Sequence, residues 1–289
     1  MLRDKPRTSP TGFKSLAQTL RRRRPAAIAA LVLTLIALAA LLAPVIAPHD
    51  PLAINAKDRF AGPSASYWLG SDELGRDLFS RILFGTRVTI VVGLSAVAIT
   101  FLIGVPLGLI AGYRGRLTGD LIMRLMDVLL AIPGLLLALT LVATFGPSTV
   151  NATLAIGVMG VPSVARLTRA VVLVEGGLDY VLAARATGAT DMRIALRTIL
   201  PNCLPPLIVQ ASLTMAQAIL IEAALSYIGL GVQPPWSSLG SLLRSGYGFI
   251  SRSFSYITFP GLTIFLIVWS LNLLGDGLRD ALDPRLRQM

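Results

Sequence analysis

The chain has 289 residues, of which 54% are hydrophobic and only 14% charged, whereas a soluble domain carries about 25% charged residues. Its 26 basic and 15 acidic residues gather between long stretches that have almost none, which excludes a water-solvated globule and a disordered chain and points to a polytopic membrane protein. One Cys and one His exclude a disulfide-stapled fold and leave almost nothing from which to build a His/Cys metal site.

The chain opens on a basic tail, 1–25, with eight basic residues and one acid, so most of the net charge of +11 lies here. The run Arg21-Arg22-Arg23-Arg24 stands directly before an apolar stretch. In that position it fixes membrane orientation and touches anionic lipid rather than nucleic acid.

Six segments are apolar enough to cross a bilayer, which asks for roughly 17–25 residues each: 26–47, 88–111, 128–145, 149–165, 204–228 and 256–275. The first is too long for a signal-peptide core, and 44–48 is a poor cleavage site, so it reads as a retained anchor. Glycine and proline interrupt several spans and are tolerated where neighbouring helices re-satisfy the backbone. With the amino terminus inside, 19 Lys and Arg fall on the cytoplasmic side and 7 outside. The positive-inside rule therefore puts both termini in the cytoplasm, with a second tail at 276–289.

Two connections are longer than turns. In the outer one, 48–87, Ser71 is placed to cap an amphipathic helix that either lies at the interface or simply closes the outer end of the bundle. Asp72 and Glu73 would lie in its first turn, and Leu74, Leu78 and Ile82 on one face. The inner one, 166–203, combines charge with helical periodicity. Small residues at Ala183, Ala184, Ala186, Gly188 and Ala189 make a short helix whose backbone another surface can approach, although a plain amphipathic connector has the same composition.

Polar residues inside a span are costly and are functional candidates by default. Gln210, Thr214 and Gln217 fall within about 60° of one another on a helical wheel. They form one stripe, which either lines a hydrophilic path or ties helices together. Glu222 lies off the stripe, about 27 Å beyond Leu204 along the helix, near the outer surface, as a satisfied structural or gating carboxylate. Asp127, three residues after Arg124, reads as a local ion pair.

A nucleotide-hydrolysing chain needs a phosphate loop of the form GxxxxGK[ST]. The only lysines are Lys5, Lys14 and Lys57, and none follows a glycine, so this chain is not an ATPase. Catalytic, cofactor and metal residues are not expected.

The spacing of Ala183-Ala184, Gly188 and Leu200-Pro201 resembles the cytoplasmic signature loop of ABC-importer permeases. The stretches LGSDELGRD (69–77), AGYRG (111–115), GLGVQPP (229–235) and NLLGDGLRDALDP (272–284) are similar to the dipeptide and oligopeptide branch of that superfamily. The resemblance covers roughly 25–287. It implies an all-α, six-span, type I ABC-importer permease in a bacterial inner membrane, moving dipeptides or short oligopeptides. It also implies a second permease subunit, two cytosolic ATPase subunits that bind the ATP, and an extracytoplasmic solute-binding protein. ATPase coupling would fall on Ala183, Ala184, Gly188, Leu200 and Pro201.

The chain departs from the pattern at Leu182, where the family usually has Glu, and at Thr198, where an apolar residue is common. A contact made by that carboxylate cannot operate here. Nickel complexes and glutathione stay open as cargo. A carrier driven by an ion gradient stays open as a second class, although no paired repeats are visible and Glu222 is the only acid well inside a span.

Overall fold

The computed structural model describes residues 24–282, so the basic tail expected over 1–25, except its last two residues, and the last residues of 276–289 lie outside the described part. The main helices are α1 (Arg24–Leu41), α2 (Leu78–Tyr113), α3 (Arg116–Leu130), α4 (Gly134–Phe145), α5 (Thr149–Gly176), α6 (Asp179–Ala186), α7 (Leu200–Tyr227), α8 (Leu239–Tyr247) and α9 (Ser255–Leu282). Among the described residues the only β-type pairing is an isolated bridge between Ser71 and Asp77.

Five helices are long and apolar enough to cross a membrane: α1, α2, α5, α9, and α7 together with the turns that precede it from Asp191. The span expected over 128–145 is not one straight helix. It is divided between α3 and α4, which meet at 84°. Pro133 lacks the N–H that an unbroken helix would donate and restricts the residue before it, so α3 stops at Leu130 and α4 restarts at Gly134. Counting the bent pair as one span gives six.

The helix expected to start at Ser71 starts instead at Leu78 and runs without a break into the span, 36 residues in all. The Asp72 carboxylate accepts the backbone N–H of Leu74 at 2.8 Å and of Arg76 at 2.9 Å. Those bonds bend 72–76 into a turn, with Gly75 at φ +75°. Asp77 is the true cap, accepting the Ser80 N–H at 2.8 Å. Leu78 and Ile82 are buried, as their spacing predicts, and they face the bundle core, which fits a segment that closes the end of the bundle and not one at a lipid interface.

Helices α2 and α5 form the central seam, and their glycines explain it. A Cβ on Gly108 would collide with the Ala165 carbonyl and would stand 2.5 Å from the Thr168 Cβ. On the facing helix, one on Gly157 would stand 2.7 Å from Ile99 and one on Gly160 2.6 Å from Thr100. The absent side chains let the backbones meet, and Thr100 donates to the Gly157 carbonyl at 2.7 Å across the seam. The outward faces stay apolar, with Leu35, Leu102, Leu136, Leu220 and Phe265 among the exposed residues; that exposure is unfavourable in water and costless in lipid.

The end of the bundle that carries residues 48–77 and α8 is closed by a buried ion cluster. Asp72 is wholly buried and pairs with Arg76 at 2.6 Å and also with Arg81. Glu73 accepts from Arg76 and, at 2.6 Å, from the Tyr256 hydroxyl at the start of α9. Charges taken this far out of water persist only when paired and hydrogen-bonded.

Candidate functional site

At the opposite end of the bundle, α6 lies between the ends of α5 and α7. Only Val181 is fully buried; it packs with Ile194, Ile199 and Cys203 of the following segment and with Val172 of α5. Ala184 packs against the same cluster, while Ala183, Arg185 and Ala186 are exposed. One apolar side chain thus anchors the helix, Ala184 packs half-buried beside it, and Ala183 and Ala186 face outward.

Gly188 has a conformational reason for being glycine. The Ala189 N–H bonds the Ala184 carbonyl at 3.1 Å and the Gly188 N–H bonds the Arg185 carbonyl at 3.0 Å, the pair of bonds that closes a helix on a left-handed residue. Its φ of +79° is that residue. A Cβ there would meet nothing within 4 Å among the described residues. Of the two reasons a glycine could have in this loop, helix termination is met within the chain, and close approach is open to a partner.

Leu200 and Pro201 open α7 but continue the helical path of the turn before them, so the N–H that Pro201 lacks falls where the helical hydrogen-bond pattern changes. The preceding turn, Ile194–Ile199, is π-helical, and the Leu200 N–H reaches back to the Ala195 carbonyl. The two halves of the sequence motif are joined through Tyr180. Its hydroxyl donates to the Glu175 carboxylate at the end of α5 and accepts from Asn202 of α7 at 3.2 Å. Burial, and then the bond to Glu175, push the Tyr180 phenol up to about 12, so it remains a neutral donor at any physiological pH. A second tie runs from Tyr113, the last residue of α2, to Asp191 at 2.7 Å. The segment from α6 to Asp191 is therefore tied to three long helices, α2, α5 and α7. Neither tyrosine stood out in the sequence, because each finds its partners across the fold.

The polar stripe on α7 is only partly a unit. Gln210 donates to Thr214 at 3.3 Å, and Thr214 is buried. Gln217 is exposed on the same side. Glu222 is almost wholly buried and accepts from Ser226 at 2.7 Å and Thr89 at 3.2 Å. Thr89 in turn accepts the Leu239 N–H at 3.3 Å, which ties α2, α7 and the first residue of α8 together. Glu222 is thus hydrogen-bonded between elements, as a structural carboxylate must be. Asp127 does not pair with Arg124; it accepts from Arg166 of α5 at 2.6 Å. Asp120 likewise takes Arg169 at 3.1 Å. Two carboxylates of α3 thus face two guanidiniums of α5, and this long-range match displaces the local i+3 pairing. Among the described residues no cluster of three His, Cys, Asp or Glu is placed to hold a metal ion.

A helical bundle with apolar outer faces and five to six candidate spans is a polytopic membrane protein. Residues 104–288 match the family of binding-protein-dependent transport system inner membrane components, and residues 13–63 match the N-terminal transmembrane domain of oligopeptide transport permease C. The chain belongs to this family of inner-membrane transport components. It is 45% identical over 284 residues to the di/tripeptide transport system permease protein of Pseudomonas aeruginosa, covering 96% of this chain and 94% of that one. With the dipeptide transport system permease protein of Escherichia coli it shares 46% over 275 residues, 93% of this chain and 91% of the other. A chain of the MetNI methionine ABC transporter in an inward-facing conformation has the same fold, with a TM-score of 0.60, 20% identity, and coverage of 71% of this chain and 98% of that one. The fold is the all-α type I importer permease architecture expected from the sequence, and the protein is integral to the inner membrane.

Proposed function

We propose that this chain is one of two permease subunits of an ATP-driven importer of dipeptides or short oligopeptides, with both termini in the cytoplasm. In this reading two separate ATPase subunits bind the nucleotide, a solute-binding protein delivers cargo on the outer face, and this chain catalyses nothing itself. The reading is supported by peptide-permease relatives that match over nearly the whole chain. It is supported further by the build of α6, which is held at its base by Val181 and Tyr180 and presents small residues outward.

The proposed coupling surface is Ala183, Ala184 and Gly188, with Leu200 and Pro201 at the root of the helix that α6 would move. Closure of the ATPase pair would push α6, and its ties would tilt α5 and α7 as rigid bodies, giving alternating access. Leu182, half exposed beside this surface, supplies a hydrophobic contact where a carboxylate would have supplied a charge. Gln217, with Gln210 and Thr214 behind it, is the proposed polar lining.

Uptake of labelled dipeptide into cells with and without the chain tests the reading. Loss of uptake on deletion, restored by the intact chain, supports it; unchanged uptake, together with an extracted complex that contains no ATPase, refutes it.

A further inference from the structure

A cavity of about 600 Å³ lies at the α6 end of the bundle, between the last turns of α2 and the segment 185–196. The proposed function does not use it. Its size falls in the range of ligand pockets, about 300–1,000 Å³, and its lining changes character along its depth. Pro106, Ile110 and Leu196 make an apolar wall. Pro106 lies seven residues before Tyr113, about 10 Å further into the bundle at the rise of an α-helix. At the mouth stand Arg114 and Arg185, both exposed, and neither forms an ion pair among the described residues. The only acid in the lining is Asp191, whose carboxylate already accepts the Tyr113 hydroxyl. The cavity is therefore an apolar slot with net positive charge at its rim, at the α6 end of the bundle.

We propose that this cavity is a binding site for an acidic phospholipid. The phosphate would sit between the guanidiniums of Arg114 and Arg185, and the first part of an acyl chain would lie against Pro106, Ile110 and Leu196. Guanidinium suits a phosphate because its donors form a planar fork, and basic pockets between spans on the cytoplasmic side are suited to acidic headgroups. A free anion would satisfy the two arginines but would leave the apolar wall empty, so the ligand is the lipid and not phosphate alone. A lipid seated here would touch both α2 and α6 and would brace α6 against the end of α2. Assignment of the rim to the cytoplasmic face rests on the proposed orientation, but binding itself does not depend on transport.

The test is titration of the full-length chain in detergent by native mass spectrometry, with phosphatidylglycerol and phosphatidylcholine as the two probes. The chain should prefer phosphatidylglycerol. A basic residue near an acidic headgroup contributes about fivefold, so replacing both arginines in Arg114→Gln/Arg185→Gln should reduce the preference by about 25-fold. Ile110→Trp, which fills the slot without changing charge, should weaken both lipids together. Arg114→Lys should keep most of the preference, which separates loss of charge from loss of fold. Replacing Arg21 to Arg24 with glutamine should remove weak adducts and leave the tight one. Equal affinity of the unaltered chain for the two lipids would overturn the proposal, as would an undiminished preference in the double variant. So would displacement of the lipid by glycerol 3-phosphate, because the site would then be one for a free anion.

Discussion

Gly188 offers the sharpest test, because two physical effects act there and different substitutions separate them. Holding an L-residue at φ +79° costs about 1–2 kcal/mol, the penalty of the left-handed region, or roughly five- to thirtyfold against the closed end of α6 at 1.4 kcal/mol per decade. Alanine and leucine carry that backbone cost equally, since a Cβ at this position meets nothing within 4 Å among the described residues. Asparagine tolerates the conformation and costs less. A partner surface seated on α6 would distinguish the three by bulk. The expected result is that all three variants insert at near-normal levels. Uptake of labelled dipeptide should be reduced severalfold for Gly188→Ala, through the backbone cost, and for Gly188→Asn, through its bulk, and abolished for Gly188→Leu, which carries both, with poor recovery of the ATPase subunits on extraction. If Leu behaves as Ala does, nothing docks on Gly188 and its role ends with closing the helix. If Leu also co-purifies and transports normally, α6 is not the coupling element.

Three further outcomes follow from the same geometry. Tyr180→Phe removes the donor to Glu175 and the acceptor of Asn202, a loss of about 1–3 kcal/mol in total; stimulation of the ATPase by loaded binding protein should fall severalfold while the basal rate and insertion hold, and an unchanged ratio would remove Tyr180 from the transmission path. On α7, cysteine at Gln217 should react fastest with a small hydrophilic thiol reagent, at Gln210 more slowly, and at buried Thr214 slowest, with Ser212 protected; inert cysteine at Gln217 would mean that this face sees lipid or another helix. Gly108→Val must separate α2 from α5 where the Ala165 carbonyl now lies against the glycine, costing about 1–3 kcal/mol as overpacking does, and a melting temperature equal to that of the unaltered protein would show that the seam can give.

Apolar content in runs of twenty, basic residues gathered on one side, the absence of a phosphate loop and the order of several long motifs were legible in the sequence. Each is a local or additive property, and with the motifs they led to a membrane permease. The short helix before Gly188 was legible for the same reason, because small residues and a helix-closing glycine act within a few positions of one another. Partners across the fold were not. Asp127 looked settled by Arg124 three residues away, yet Arg166 on α5 takes it. Asp72 and Glu73 looked like the first turn of a helix, yet Asp72 turns its own backbone and holds Arg81, which moves the helix start to Leu78. Tyr180 gave no signal until Glu175 and Asn202 were brought to it from two different helices. Backbone preference and hydrophobic periodicity act over one or two turns and can be read along the chain. A buried charge or hydroxyl must find a partner wherever the packed helices place one, so its role was decided only by the tertiary structure.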